Sequence, residues 1–193
     1  MKKLILPVLF CFCQAAVAQS EFGALAGGNL SWVNTRRAAD KSYSTSDLRL
    51  GMLLGGYFRF IMSDRFAVQP ELMFAGYGGR NFGGQNKVKL NYIALTVLAK
   101  VNFTPELFGL TGPQLGMLAS QSNQDSDTLT DYKFLYVSWP FGLGYSFNSI
   151  GVNVSLRYSL GLADITKSSA TNDKMDSFQL AVGYHLAGGD KYK

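Results

Sequence analysis

A chain of 193 residues with a formal charge of +5, 16% charged and 13% aromatic residues, and 21 glycines is long enough for one domain. The charge is mild and the charged residues stand singly, so no basic run argues for a nucleic-acid surface. Few charges with many glycines and aromatics suit strands that face lipid on one side and a crowded interior on the other.

The N-terminus reads as a secretory signal. Lys2 and Lys3 precede an apolar run, 4–12, and Ala16-Val17-Ala18 supplies the small residues that signal peptidase accepts. Cleavage before Gln19 takes 18 residues from 193 and leaves 175, and loss of the two lysines lowers the charge from +5 to +3. The run is too short to span a membrane as a helix, and no later segment approaches the ~20 apolar residues a spanning helix needs. Cys11 and Cys13 both lie in the segment to be removed, so the mature chain has no thiol chemistry. Phe12 stands where a lipobox wants a small residue, which argues against lipidation of Cys13.

Eight stretches then alternate with period two, at 22–33, 48–62, 66–78, 88–103, 108–120, 132–147, 151–164 and 175–186. The connections 63–65, 104–106 and 148–150 are turn-sized, whereas 34–47, 79–87, 121–131 and 165–174 are longer and polar. An even number of strands, about 10 residues or longer, with short turns at one end and long loops at the other, predicts an all-β, eight-stranded antiparallel up-and-down transmembrane barrel. Lipid offers no hydrogen bonds, so the last strand must pair with the first. The expected division is 1–18 signal peptide, 19–187 barrel and 188–193 a short tail, with the short turns in the periplasm and the loops outside.

The alternation assigns faces. Leu50, Met52, Leu54, Phe58 and Phe60 share one side of the second strand, and Arg49, Gly51, Gly55, Tyr57 and Arg59 the other. In the seventh, Val152, Val154, Leu156, Tyr158 and Leu160 alternate with Asn153, Ser155, Arg157, Ser159 and Gly161. Phe60, Phe66, Phe103, Phe147 and Tyr184 are expected to form an aromatic girdle at the short-turn end, with Trp32, Tyr132 and Trp139 in the other girdle.

Five charged residues, Arg49, Arg59, Glu71, Lys100 and Arg157, are expected to point into the lumen with Gln69, Gln114, Asn153 and Gln179. Buried charges must be paired, so Glu71 is read as the hub of a structural network serving Arg59, Lys100 and Arg157. Eight strands leave an interior that side chains fill, which disfavours an ion or substrate path.

Other motifs carry little. His185 is the sole histidine, so a multi-histidine metal site is excluded and no cofactor is expected. Asp125, Asp127 and Asp131 lack the glycine and terminal glutamate of a calcium loop. Gly142-Leu143-Gly144 is strand glycine with no helix after it, unlike a phosphate-binding turn.

The segments Gln69-Pro70-Glu71-Leu72-Met73-Phe74, Leu90-Asn91-Tyr92-Ile93-Ala94-Leu95-Thr96-Val97-Leu98-Ala99-Lys100 and Gly112-Pro113-Gln114-Leu115-Gly116 resemble the PorT-like outer-membrane β-barrel domain family common in Bacteroidota. The similarity runs over about 22–186. It implies an eight-stranded barrel in the outer membrane of a Gram-negative bacterium. Members of that family often carry an acidic residue and a proline where Ala94 and Thr96 stand here. A role in type IX secretion and gliding, known for one namesake, is not carried over.

Three function classes follow. The favoured one is a noncatalytic barrel with a structural role, or one that binds partners or surface ligands through its loops. Its partners would be outer-membrane lipid and envelope or secretion-machinery proteins, with no nucleic acid. A lipid-modifying membrane enzyme is the second class, though His185 faces inward near the periplasmic end with no acidic orienter beside it. The third is a soluble periplasmic lipocalin-like binder, whose polarity would be reversed.

Overall fold

The computed structural model describes residues 20–37, 39–82, 85–123, 132–167 and 171–188. The expected signal segment with Cys11 and Cys13, the loop residues Asp125, Asp127 and Asp131, and tail residues 189–193 lie outside them.

Ten strand segments build eight barrel strands. They are β1 (Ser20–Arg37), β2 (Tyr43–Thr45), β3 (Arg49–Ile61), β4 (Phe66–Phe82), β5 (Gln85–Asn102), β6 (Leu107–Thr111), β7 (Gln114–Asn123), β8 (Leu135–Phe147), β9 (Val152–Gly161) and β10 (Thr171–Gly188). β2 is a short piece of the first loop folded back on β1, Thr45 facing Asn34. β6 and β7 are halves of one strand interrupted at Gly112-Pro113, because proline has no amide to donate. The ladder survives the break: Gly112 N donates to Pro140 O at 3.2 Å, and Val97 N donates to Pro113 O at 3.0 Å.

The sheet runs antiparallel from β10 through β9, β8, β6 and β7, β5, β4 and β3 to β1, and β1 then pairs with β10. That closing seam is long, from Glu21 opposite Gly188 to Arg37 opposite Thr171. Each barrel strand therefore has two neighbours and no edge is left open, as a strand in hydrocarbon requires. All three tight connections are at the expected turns. The third is a single 3-10 turn, Asn148–Ile150, that ends on Gly151 at φ 66°, a left-handed conformation that glycine adopts without strain.

The loop-end strands are longer than the hydrophobic alternation predicts. β4 and β5 continue to Phe82 opposite Gln85 within the segment expected as loop. At about 3.3 Å per residue and a tilt near 40°, the 18 residues of β5 rise about 45 Å, against an apolar band of about 25 Å. Hydrogen-bonded pairing outlasts the membrane, whereas the apolar pattern ends with it.

The outward face is apolar throughout the band, with Leu50, Met52, Leu54, Phe58, Leu72, Leu143, Leu156 and Leu180 exposed. Near the short turns, Phe66, Phe103, Phe147 and Tyr184 are exposed on this face, joined by the Phe22–Phe58 pair at 6.1 Å. Toward the loops, Tyr158 contacts Phe178 at 5.2 Å and Phe141 at 5.5 Å, and Trp32 contacts Phe178 at 5.6 Å. Tyr132, expected in this upper girdle, is instead buried in the interior cluster, tied to Thr166 by an isolated bridge. It lies on the same parity as Tyr136 and Ser138, and parity decides its side of the sheet.

Candidate functional site

The lumen is filled in two storeys. Toward the loops, Tyr77, Tyr92 and Tyr136 meet in a ring cluster with centroids 5.4 to 5.9 Å apart, all three fully buried. Leu53, Met73, Leu90, Ile165 and Met175 pack around them. Two of the three hydroxyls are used: Tyr77 OH accepts from Gln114 Nε2 at 2.8 Å and Gln179 Nε2 at 3.0 Å, and Tyr136 OH donates to Met175 O at 2.9 Å, whereas Tyr92 OH has no hydrogen-bond partner among the described residues. These rings fit because facing positions are small. A side chain on Gly116 would press on Tyr136 and Tyr92 at 3.3 Å, and one on Gly144 would run into the Phe108 ring.

Below lies the polar storey, fed by four strands. Arg157 of β9 grips Glu71 of β4 with two parallel bonds, Nη1 to Oε2 at 2.6 Å and Nη2 to Oε1 at 2.9 Å, while its Nε donates to Ser155 Oγ at 3.0 Å. Such a two-pronged pair is the strongest geometry open to a guanidinium. Gln69 Nε2 donates to Glu71 Oε1 at 2.7 Å, and Gln69 Oε1 accepts from Arg59 Nε at 2.8 Å. Arg59 Nη1 then pairs with Glu21 Oε2 at 2.6 Å. The polar chain thus runs Arg157, Glu71, Gln69, Arg59, Glu21.

All five charged positions singled out from the sequence are buried in the lumen, but they do not form one cluster around Glu71. Arg59 pairs with Glu21 rather than Glu71, a carboxylate that sequence reasoning missed because the first strand was expected to begin at Phe22. Glu21 shares the parity of Gly23 and Leu25, a signal that was present. Lys100 makes no ion pair with any described residue and lies over the Phe108 ring, its Nζ 3.9 Å from the centroid. Arg49 sits apart at the loop end, donating through Nη1 to Tyr77 O. Among the other lumen residues named from the sequence, Asn153 Nδ2 donates to Tyr57 OH at 3.3 Å. His185 is half-buried on the inward parity of β10, beside the Gly151 turn.

Among the described residues a hollow stands at each end. At the short-turn end the lumen opens into a vestibule of about 450 Å³, bordered by Glu21, Arg59, Arg65 and Lys100. At the loop end a notch of about 420 Å³ on the outside of the barrel is bordered by Asn34, Arg36, Tyr43, Lys174 and Asp176. Asp176 is already engaged there, accepting from Asn34 Nδ2 and from Gly161 N, each at 2.8 Å. Beside β9, Asp164 clamps the loop base, accepting from Asp173 N at 2.9 Å, Lys133 Nζ at 2.9 Å and Thr166 N at 3.2 Å. Burial raises its carboxyl pKa, but these bonds outweigh burial and hold it below the ordinary value of 3.8.

The structure resembles crystal structures of Neisserial surface protein A (TM-score 0.58, 8% identity, covering 86% of this chain and 99% of that one) and of the attachment invasion locus protein of Yersinia pestis (TM-score 0.48, 11% identity, 87% and 99%). No curated protein is similar to the chain in sequence. The family described as outer membrane protein beta-barrel domain matches residues 14–167, most of the chain, and the first-to-last strand seam completes the barrel that such a domain requires. This chain therefore belongs to the outer-membrane β-barrel domain family.

Proposed function

We propose that the protein is a noncatalytic, PorT-like barrel of a Bacteroidota outer membrane, exported by the signal at 1–18, which supports the envelope and binds partners or surface ligands through its extracellular loops. The barrel proper takes in Gly188, which pairs with Glu21, one residue beyond the expected 19–187, and 189–193 follow it. The observation that carries this reading is the contrast between the two parts of the molecule. The lumen is packed with tyrosines and an ion-pair chain, leaving no path for a solute among the described residues. The strands, by contrast, run well past the apolar band and present polar and aromatic side chains at the loop end.

There Tyr43 is 74% exposed, with the Arg36 guanidinium 5.8 Å from its ring, and Lys174 borders the same notch. Exposed aromatic and cationic groups on loops held by a rigid scaffold are the usual material of recognition surfaces. Tyr43→Cys, in a chain whose Cys11 and Cys13 are replaced, is expected to react with a membrane-impermeant maleimide on intact cells. The purified barrel is expected to leave lipid in vesicles unmodified. Labelling only after cell lysis, or release of fatty acid from the vesicles, would contradict the proposal.

A further inference from the structure

The vestibule at the short-turn end presents cationic donors that the protein does not itself satisfy. Three cations, Arg59, Arg65 and Lys100, border it against two carboxylates, Glu21 and Asp64. Glu21 is already taken by Arg59 at 2.6 Å. Lys100 is 4% exposed, has no carboxylate among the described residues within ion-pair distance, and lies over the face of Phe108. Arg59 is 6% exposed and spends Nε on Gln69 and Nη1 on Glu21, while its buried Nη2 has no hydrogen-bond partner. Two cations side by side with one carboxylate between them leave a net positive charge at the vestibule, which an anion from outside would complete.

We propose that this vestibule is a binding site for a small oxyanion, the carboxylate or phosphate group of a periplasmic solute or chain end. Lys100 Nζ is the anchor, the Arg59 guanidinium adds positive charge behind it, and Arg65 is the cation at the rim. The site is a closed-ended pocket, because the lumen beyond it is occupied by Gln69, Glu71 and Arg157. Its rim is preorganised: Asn102 N donates to Arg65 O at 2.8 Å and Asn102 Nδ2 to Asp64 O at 3.1 Å, which fixes the 63–65 turn against β5. A volume of about 450 Å³ accommodates a phosphomonoester or a dipeptide. This site is separate from the extracellular loops and does not depend on their role.

The test uses the full mature chain refolded in detergent micelles, titrated separately with inorganic phosphate and with acetyl-glycyl-alanine. The C-terminal amide of that dipeptide is the control. Binding is read from NMR resonances of the lysine side chains and from thermal unfolding. At least one oxyanion probe is expected to saturate at or below about 10 mM, the amide is not, and added salt weakens binding. Preference for phosphate points to a phosphorylated solute, and preference for the dipeptide to a peptide chain end. Lys100→Met keeps the packing on Phe108 and is expected to lower affinity about tenfold or more. Exposed Arg65→Ala, whose folding is not at issue, is expected to lower it about two- to fivefold. Failure of both probes to saturate, equal binding of the amide, or unchanged affinity in both variants would overturn the proposal.

Discussion

Replacing Glu71 by Gln removes the one negative charge that compensates Arg157. Glu71 is 1% exposed and Arg157 2%, so neither end of the pair is relieved by bulk water. With charge centres about 4 Å apart and an effective dielectric near 20, the attraction is about 4 kcal/mol. Breaking buried pairs by removing one partner typically costs about 3–5 kcal/mol, and Glu71→Gln should fall in that range. The neutral amide is a poor substitute here. Its oxygen, placed where Oε1 stands, can accept from Arg157 Nη2 and Gln69 Nε2, but its NH2 group then faces the Arg157 Nη1 donor in place of the shortest bond of the pair. Removing both charges together, as Glu71→Gln with Arg157→Met, should cost clearly less than the sum of the single changes, a coupling of about 2–3 kcal/mol. Combined with Lys100→Met, in contrast, the effects should add to within about 0.5 kcal/mol, because Lys100 belongs to the vestibule. Urea titrations of reversible folding into lipid vesicles measure the wild type, the three single variants and the two double variants. A cost below about 1 kcal/mol for Glu71→Gln, or equal coupling to Lys100 and Arg157, would refute the reasoning.

Leu156 is 58% exposed to lipid at mid-strand, so Leu156→Arg should cost about 2–4 kcal/mol in the same folding assay. Its neighbour Ser155, which accepts one bond from Arg157 Nε, should cost only about 1 kcal/mol as Ser155→Ala; equal costs would mean the faces are reversed. In planar bilayers the protein should show no steady conductance, since the tyrosine cluster and the ion-pair chain occupy the lumen, and reproducible single-channel steps altered by Glu71→Gln would contradict this. Because the Asp164 carboxyl is held below 3.8, the ordering it gives the loop base is fully present above that value and is lost as pH falls through the depressed pKa. NMR shifts of the Asp173 and Thr166 amides should therefore move together only below about pH 4, and Asp164→Asn should abolish the transition.

Strand faces were legible because lipid and lumen each impose period two, so Leu156 out and Arg157 in follow from parity alone. Closure was legible because an unpaired edge cannot be tolerated in hydrocarbon. The pairing of charges was not. Arg59 and Glu21 are 38 residues apart and Arg157 and Glu71 are 86 apart, and which of them meet depends on the stagger between strands, which no local pattern encodes. Parity put Tyr77 and Glu71 on one face, but the height that brings Tyr77, Tyr92 and Tyr136 together is set by the same stagger. Loop-end strand limits were missed because Arg80 and Lys87 pair by backbone, with no apolar pattern to announce it.

The seam between the first and last strands is the central claim, since it makes the sheet a barrel. In detergent micelles or nanodiscs, NMR should give cross-strand contacts between Ala24 and Tyr184 and between Ala26 and Val182, with slow amide exchange along both strands. Absence of those contacts, with the β1 amides exchanging as a free edge, would contradict the account.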